Sequence, residues 1–152
     1  EEIKYDSKYI DPFYILIIFI YKIQMSKDLL LAIFEMAKKK QVLDEELIDF
    51  LEDLFPNRST NIIEVLKRGI TKNICKPSNR IVWTAMGENQ EHLIYPKIFC
   101  SCQDFYKSVI IKRERLVCKH LIAQIISEAL KNYKIKELED LEFKELIRDL
   151  RL

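Results

Sequence analysis

At 152 residues the chain is long enough for one domain with a substantial core. Hydrophobic residues make up 49% and charged residues 32%, a globular balance, and two glycines with four prolines leave little room for flexible linkers. A net charge of +1 excludes strong attraction of nucleic acid by the field of the whole protein.

Residues 1–24 stand apart. Phe13 to Tyr21 form an unbroken apolar run. Even with Ile10 and Ile23 it falls short of the roughly 20 residues that a membrane helix needs. Acidic Glu1, Glu2 and Asp6 precede it and no cleavage-type site follows, so it does not read as a signal peptide. Its β-branched and aromatic residues favour a strand. Met25-Ser26-Lys27-Asp28 reads as a natural start. Residues 1–24 are therefore expected to precede the natural domain or to pack as a hydrophobic extension. Residues 25–152 are expected to form a single domain.

Within it, residues 25–76 read as a helical part and a first strand. Ser26 can cap a helix to about Lys39, with Leu30, Ile33, Phe34 and Ala37 at helical spacing. Asp44 can cap a second, where Leu47, Ile48, Leu51, Leu54 and Phe55 make an apolar stripe ending at Pro56. Ser59 or Thr60 opens a third, which Gly69 stops. Ile70–Lys76 is a candidate strand, and Pro77-Ser78-Asn79 a turn.

Residues 77–133 carry a hairpin, a cysteine-rich segment and a helix. Ile81–Met86 and Glu91–Tyr95 flank a four-residue loop, Gly87 to Gln90. The single tryptophan, Trp83, is expected in the core. Gln103–Ile111 reads as a short helix or irregular segment. Lys119–Tyr133 is predicted helical, with Ile122, Ile125, Ile126, Ala129 and Leu130 on one face. Residues 134–152 are predicted as a final helix, with a stripe of Leu138, Leu141, Leu146, Ile147 and Leu150.

The chemistry is concentrated in Cys100-Ser101-Cys102 and Cys118-Lys119-His120. Thiolate sulfur and imidazole nitrogen are the ligands Zn²⁺ prefers, and four of them close a tetrahedron with no position left for water or substrate. The pattern predicts a structural zinc held by Cys100, Cys102, Cys118 and His120. Cysteines two residues apart are poorly placed to bridge each other, and thiols in this pattern read as metal ligands in a reducing compartment. The fourth cysteine, Cys75, reads as a small buried hydrophobe and His92 as a half-exposed strand residue.

The two half-motifs, with Asp104-Phe105 between them and Leu121-Ile122-Ala123 after them, resemble the SWIM zinc finger. Its pattern is C-x-C, a variable spacer, C-x-H and a small residue three positions on, the place that Ala123 takes. From about Leu29 onward the order of elements is similar to the short stand-alone SWIM proteins of the Shu complex. The predicted elements together make an α+β fold, with a small antiparallel hairpin or sheet, a zinc knuckle and several packed helices. The resemblance implies a role beside RecA-fold recombinase paralogues in homologous recombination.

No phosphate-binding loop and no H-E-x-x-H motif is present, so a non-enzymatic adaptor is expected, without a small-molecule substrate and away from membranes. It would sit in the cytoplasm, or in the nucleus of a eukaryote. Lys107, Lys112, Arg113, Arg115 and Lys119 outnumber Asp104 and Glu114 around the motif. They read either as a solvated charged loop or as phosphate contacts to single-stranded DNA made mainly within a complex. A direct DNA-binding module for transposition or transcription is the alternative. An accessory subunit of a ubiquitin-type or other enzyme complex is a third reading.

Overall fold

A computed structural model describes residues 12–149. Five strands, Ile70–Lys76 (β1), Ile81–Met86 (β2), Glu91–Tyr95 (β3), Phe99–Cys100 (β4) and Lys134–Glu139 (β5), form one sheet in the order β4-β3-β2-β1-β5. The helices are Pro12–Lys40 (α1), Glu45–Leu54 (α2), Ser59–Arg68 (α3), Lys119–Ala129 (α4) and Asp140–Asp149 (α5). A π-helix spans Phe105–Ile111.

The N-terminal elements form for local reasons. The carboxylate of Asp44 accepts from the N–H of Leu47 and caps α2. Leu47 and Leu51 then face inward one turn apart. Gly69, at φ 113°, stops α3 in a conformation that other residues avoid. Ser26 does not cap α1. It lies inside the helix, and its hydroxyl donates to the Ile23 carbonyl.

Residues 13–21 are helical, against the expected strand. Helix propagation adds one hydrogen bond per residue fixed, whereas β-branched residues cost only a few tenths of a kcal/mol each. A helix already nucleated from residue 26 onward therefore extends backwards through an apolar run that has no sheet partner. The part of the proposed extension before residue 12 lies outside the described residues. Among those described, no helix is long and apolar enough to cross a membrane.

The C-terminal segment differs too. Residues 134–139 are not helical but form β5, parallel to β1, with Thr71 opposite Lys134 and Cys75 opposite Leu138. The outer edge of β1 would otherwise leave its N–H and C=O groups without sheet partners, and pairing them outweighs the helical spacing of the leucines. The sheet is consequently mixed, with antiparallel β1–β2, β2–β3 and β3–β4 ladders. Helix α5 follows at Asp140, whose carboxylate accepts from the backbone and hydroxyl of Ser78. Leu150 lies outside the described residues.

The sheet separates two cores. On one face Leu30, Ile33 and Ala37 of α1, Leu51 of α2, Ile62 of α3 and Ile122 of α4 pack with Trp83 and Ile94. Trp83 is buried there, edge-to-face with Tyr133 at 4.9 Å. On the other face Phe143 of α5 closes a smaller cluster with Cys75, Val82 and Leu93.

Candidate metal centre

Strand β3 delivers the first half of the site. Ile94 pairs with Cys100, so the chain turns back on itself directly before the knuckle. Ser101 fixes that turn, since its N–H donates to the Leu93 carbonyl and its Oγ accepts from the Leu93 N–H at 2.9 Å. Helix α4 delivers the second half. Cys118 is its N-cap in an extended conformation, and His120 lies in its first turn. Arg58, at the start of α3, donates to the Val117 carbonyl beside Cys118 at 3.4 Å.

The ligand atoms of Cys100, Cys102, Cys118 and His120 all lie within 4.8 Å of one another, and all four residues are buried. Two ligands about 2.3 Å from one ion are at most about 4.6 Å apart, so this is close to the span one metal can bridge. Both ring nitrogens of His120 are buried without a hydrogen-bond partner. Such groups are costly to leave unsatisfied, and a metal ligand bond removes that cost at one of them. The donor set therefore fits a metal ion.

Electrostatics inside the cluster agree. Hydrogen bonding from Cys100, then from Cys118, pulls the pKa of Cys102 down. The N–H of Phe105 also points at the Cys102 sulfur, 3.3 Å away. Hydrogen bonding to Cys102 pushes Cys100 up, and burial pushes Cys118 up. Among the three thiols, the directions favour ionisation of Cys102 and oppose that of Cys100 and Cys118. A cation in their midst is what would let all three ionise.

The comparisons with known proteins decide the family. The chain is 32% identical over 79% of its length to the zinc finger SWIM domain-containing protein 7 homolog of Dictyostelium discoideum, covering 78% of that protein. This chain belongs to the SWIM zinc-finger family. It is also 28% identical to zinc finger SWIM domain-containing protein 7 of Mus musculus, over 70% of this chain and 72% of that one. The human protein of that name is 26% identical, over 70% of this chain and 77% of its own. No family model and no solved structure matches the chain.

The small residue of the SWIM pattern, Ala123, is fully buried on α4. His92 stays outside the ligand cluster, but its ring lies 4.5 Å from that of His120 and tilted at 51°. Burial, then the neighbouring His120, lowers the pKa of His92. Cys75 is buried in the second core, away from the site.

The five basic residues of the SWIM segment do not converge on one spot. Arg113 and Arg115 line an apolar groove beside α1. Arg115 and Lys119 line a polar cleft that also holds Arg58, Asn61 and Asp104. Lys107 and Lys112 line neither, and Lys112 lies 3.8 Å from Glu114. Arg115 is paired with Asp104 at 2.6 Å. Arg58 joins the cleft from far away in the chain, where no sequence pattern marks it. Its pKa is lowered by burial first and by Arg115 second.

Proposed function

We propose that this SWIM protein is a non-enzymatic adaptor, held in shape by one Zn²⁺ on Cys100, Cys102, Cys118 and His120, that pairs with a RecA-fold recombinase paralogue in homologous recombination. The observation that carries the reading is the buried three-cysteine, one-histidine set joining β4 to α4. When bound, the ion supplies a cross-link between two chain segments and no open coordination position. The protein side chains do the rest. Ser101 orients the knuckle, Cys118 enters the helix, and Ala123 keeps a buried position on α4 small. The pairing with a recombinase paralogue is what resemblance to the Shu-type SWIM proteins implies.

Two measurements test the metal. Purified chain should contain one zinc per molecule. Cys102→Ala and His120→Ala should each lose most of it and melt at much lower temperature, because a structural zinc site is worth on the order of 10 kcal/mol. Retained metal with an unchanged melt would refute the ligand set.

Co-purification from the native cell tests the partner, and a recombinase paralogue should be recovered with the intact chain. The second reading, a direct nucleic-acid module, draws support from Arg58, Arg115 and Lys119 in one cleft. A salt titration of single-stranded DNA binding separates the two. The lone chain should bind weakly at physiological salt, with affinity gained only when the partner is present. Substituting a side chain that touches a phosphate should lower the log–log salt slope by about 0.7 for a single strand. Tight binding by the lone chain favours the module instead.

A further inference from the structure

A groove of about 490 Å³ runs between α1, the turn before β4, the π-helix and the segment leading to Cys118. Its apolar lining includes Phe19, Ile23, Ile98, Val109, Ile110 and Leu116. Several of these face solvent, with Ile98 72%, Phe19 51% and Ile110 47% exposed. Hydrophobic side chains grouped in a concavity, rather than scattered, mark a surface that another molecule covers.

The rim has one sign of charge. Lys22, Lys27, Lys97, Arg113 and Arg115 line the groove, and none of its lining residues is acidic. Arg115 is committed to Asp104. The ion pairs of the described residues leave the other four cations without an acidic partner. Lys22 instead donates to the Arg113 carbonyl at 3.4 Å, linking the two walls.

We infer that this groove docks a peptide segment of a partner protein, an apolar stripe flanked by aspartate or glutamate. The apolar floor takes the stripe as a helix-in-groove contact, and the rim cations meet the flanking carboxylates. A second copy of this chain does not supply those charges from its exposed helix, because residues 13–27 contain no acidic residue. Nucleic acid fits less well. Ile23, Ile98, Val109, Ile110 and Leu116 are aliphatic and Phe105 is buried, so Phe19 alone offers an exposed ring, whereas stacking of successive bases needs several. The inference needs no RecA-fold partner, so it stands or falls separately from the recombination role.

The test uses the zinc-loaded full chain and a displayed library of random 16-residue peptides. Enriched peptides should carry leucine, isoleucine or phenylalanine at helical spacing between acidic flanks. The best of them, synthesised with a fluorophore, should bind at least tenfold more weakly to Lys27→Glu/Lys97→Glu and to Ile110→Asp. Lys67→Glu/Lys134→Glu removes the same charge far from the groove and should change affinity less than twofold. Melting and zinc content of every variant establish that it folds, and the exposed lysine pair serves alone if Ile110→Asp does not. The proposal is overturned if no peptide is enriched, if enriched peptides lack the acidic flanks, or if both lysine pairs weaken binding equally. It is also overturned if a 20-nucleotide single strand or phosphatidylserine vesicles displace the peptide and themselves fail to bind Lys27→Glu/Lys97→Glu. Self-association that the groove variants abolish would make the occupant a second copy, and would overturn it too.

Discussion

Gly87 is small for reasons of space. A Cβ placed there would lie 2.5 Å from His92 Nε2 and 2.8 Å from the Gln90 carbonyl oxygen. His92 in turn leans on the ring of His120. Gly87→Ala should therefore cost about 1–3 kcal/mol, read by urea unfolding, through overpacking rather than backbone strain. Adding His92→Ala should recover part of that loss, and full additivity of the two changes would show that the rings and the glycine are not coupled. This arrangement was not legible in the sequence, where Gly87 signalled only a hairpin loop and His92 only a strand residue. The four candidate ligands were legible because their chemistry depends on residue type and spacing. Arg58 was not, since only the folded chain carries it to Asp104 and Val117.

At the scale of elements, one cap and one stop read well, while Ser26 lies inside α1 and α3 has no side-chain cap. Asp44 and Gly69 do in space what their identities suggest. The turns around Pro77 and Gly87 read well, but several others did not, because a chain with two glycines makes them from other residues. Gln41, Asn57, Asn79, Lys97, Arg113 and Lys131 all take positive φ, and only the asparagines are usual there. The long α1 and the strand β5 escaped for a different reason. Both are settled by what lies beside them, an established helix and an open sheet edge, and local propensity is overridden.

The link between α2 and α3 also responds to pH. Glu52 accepts from the Ser59 hydroxyl and the Asn57 N–H, and these bonds, the hydroxyl first, hold its pKa below the ordinary 4.5. The sign follows from the protonation states. Above 4.5 the ionised side chain favours the folded form. That contribution disappears as pH falls through the depressed folded value. Glu52→Gln should flatten the acid limb of a stability–pH curve below 4.5, and an unchanged slope would dismiss the interaction.

The whole molecule is a sheet with unequal cores, and this division makes a prediction. Phe143 is 2% exposed and fills the smaller core. Phe143→Ala should cost about 3–5 kcal/mol in chemical denaturation. Zinc content of the folded fraction should stay that of the parent, because the ligand cluster belongs to the other face. Loss of metal from well-folded protein would show that the sheet does not insulate the two sides. The larger core was legible as helical stripes and a hairpin. The smaller one was legible only in part, through Cys75, Leu146 and Ile147, since its key residue Phe143 sits on a helix whose packing depends on β5.

The parallel pairing of β1 with β5 has a consequence for the order in which the molecule can be completed. Thr71 waits for Lys134, and Lys76 for Glu139. During synthesis the hairpin, the cysteine knuckle and α4 all emerge before the strand that closes the sheet. An unpaired edge of this kind templates pairing with other chains, and non-local closure is slow. The newborn protein can thus own a complete ligand set while still offering β1 to its neighbours, which makes β5, an edge strand rich in exposed charge, its guard against aggregation.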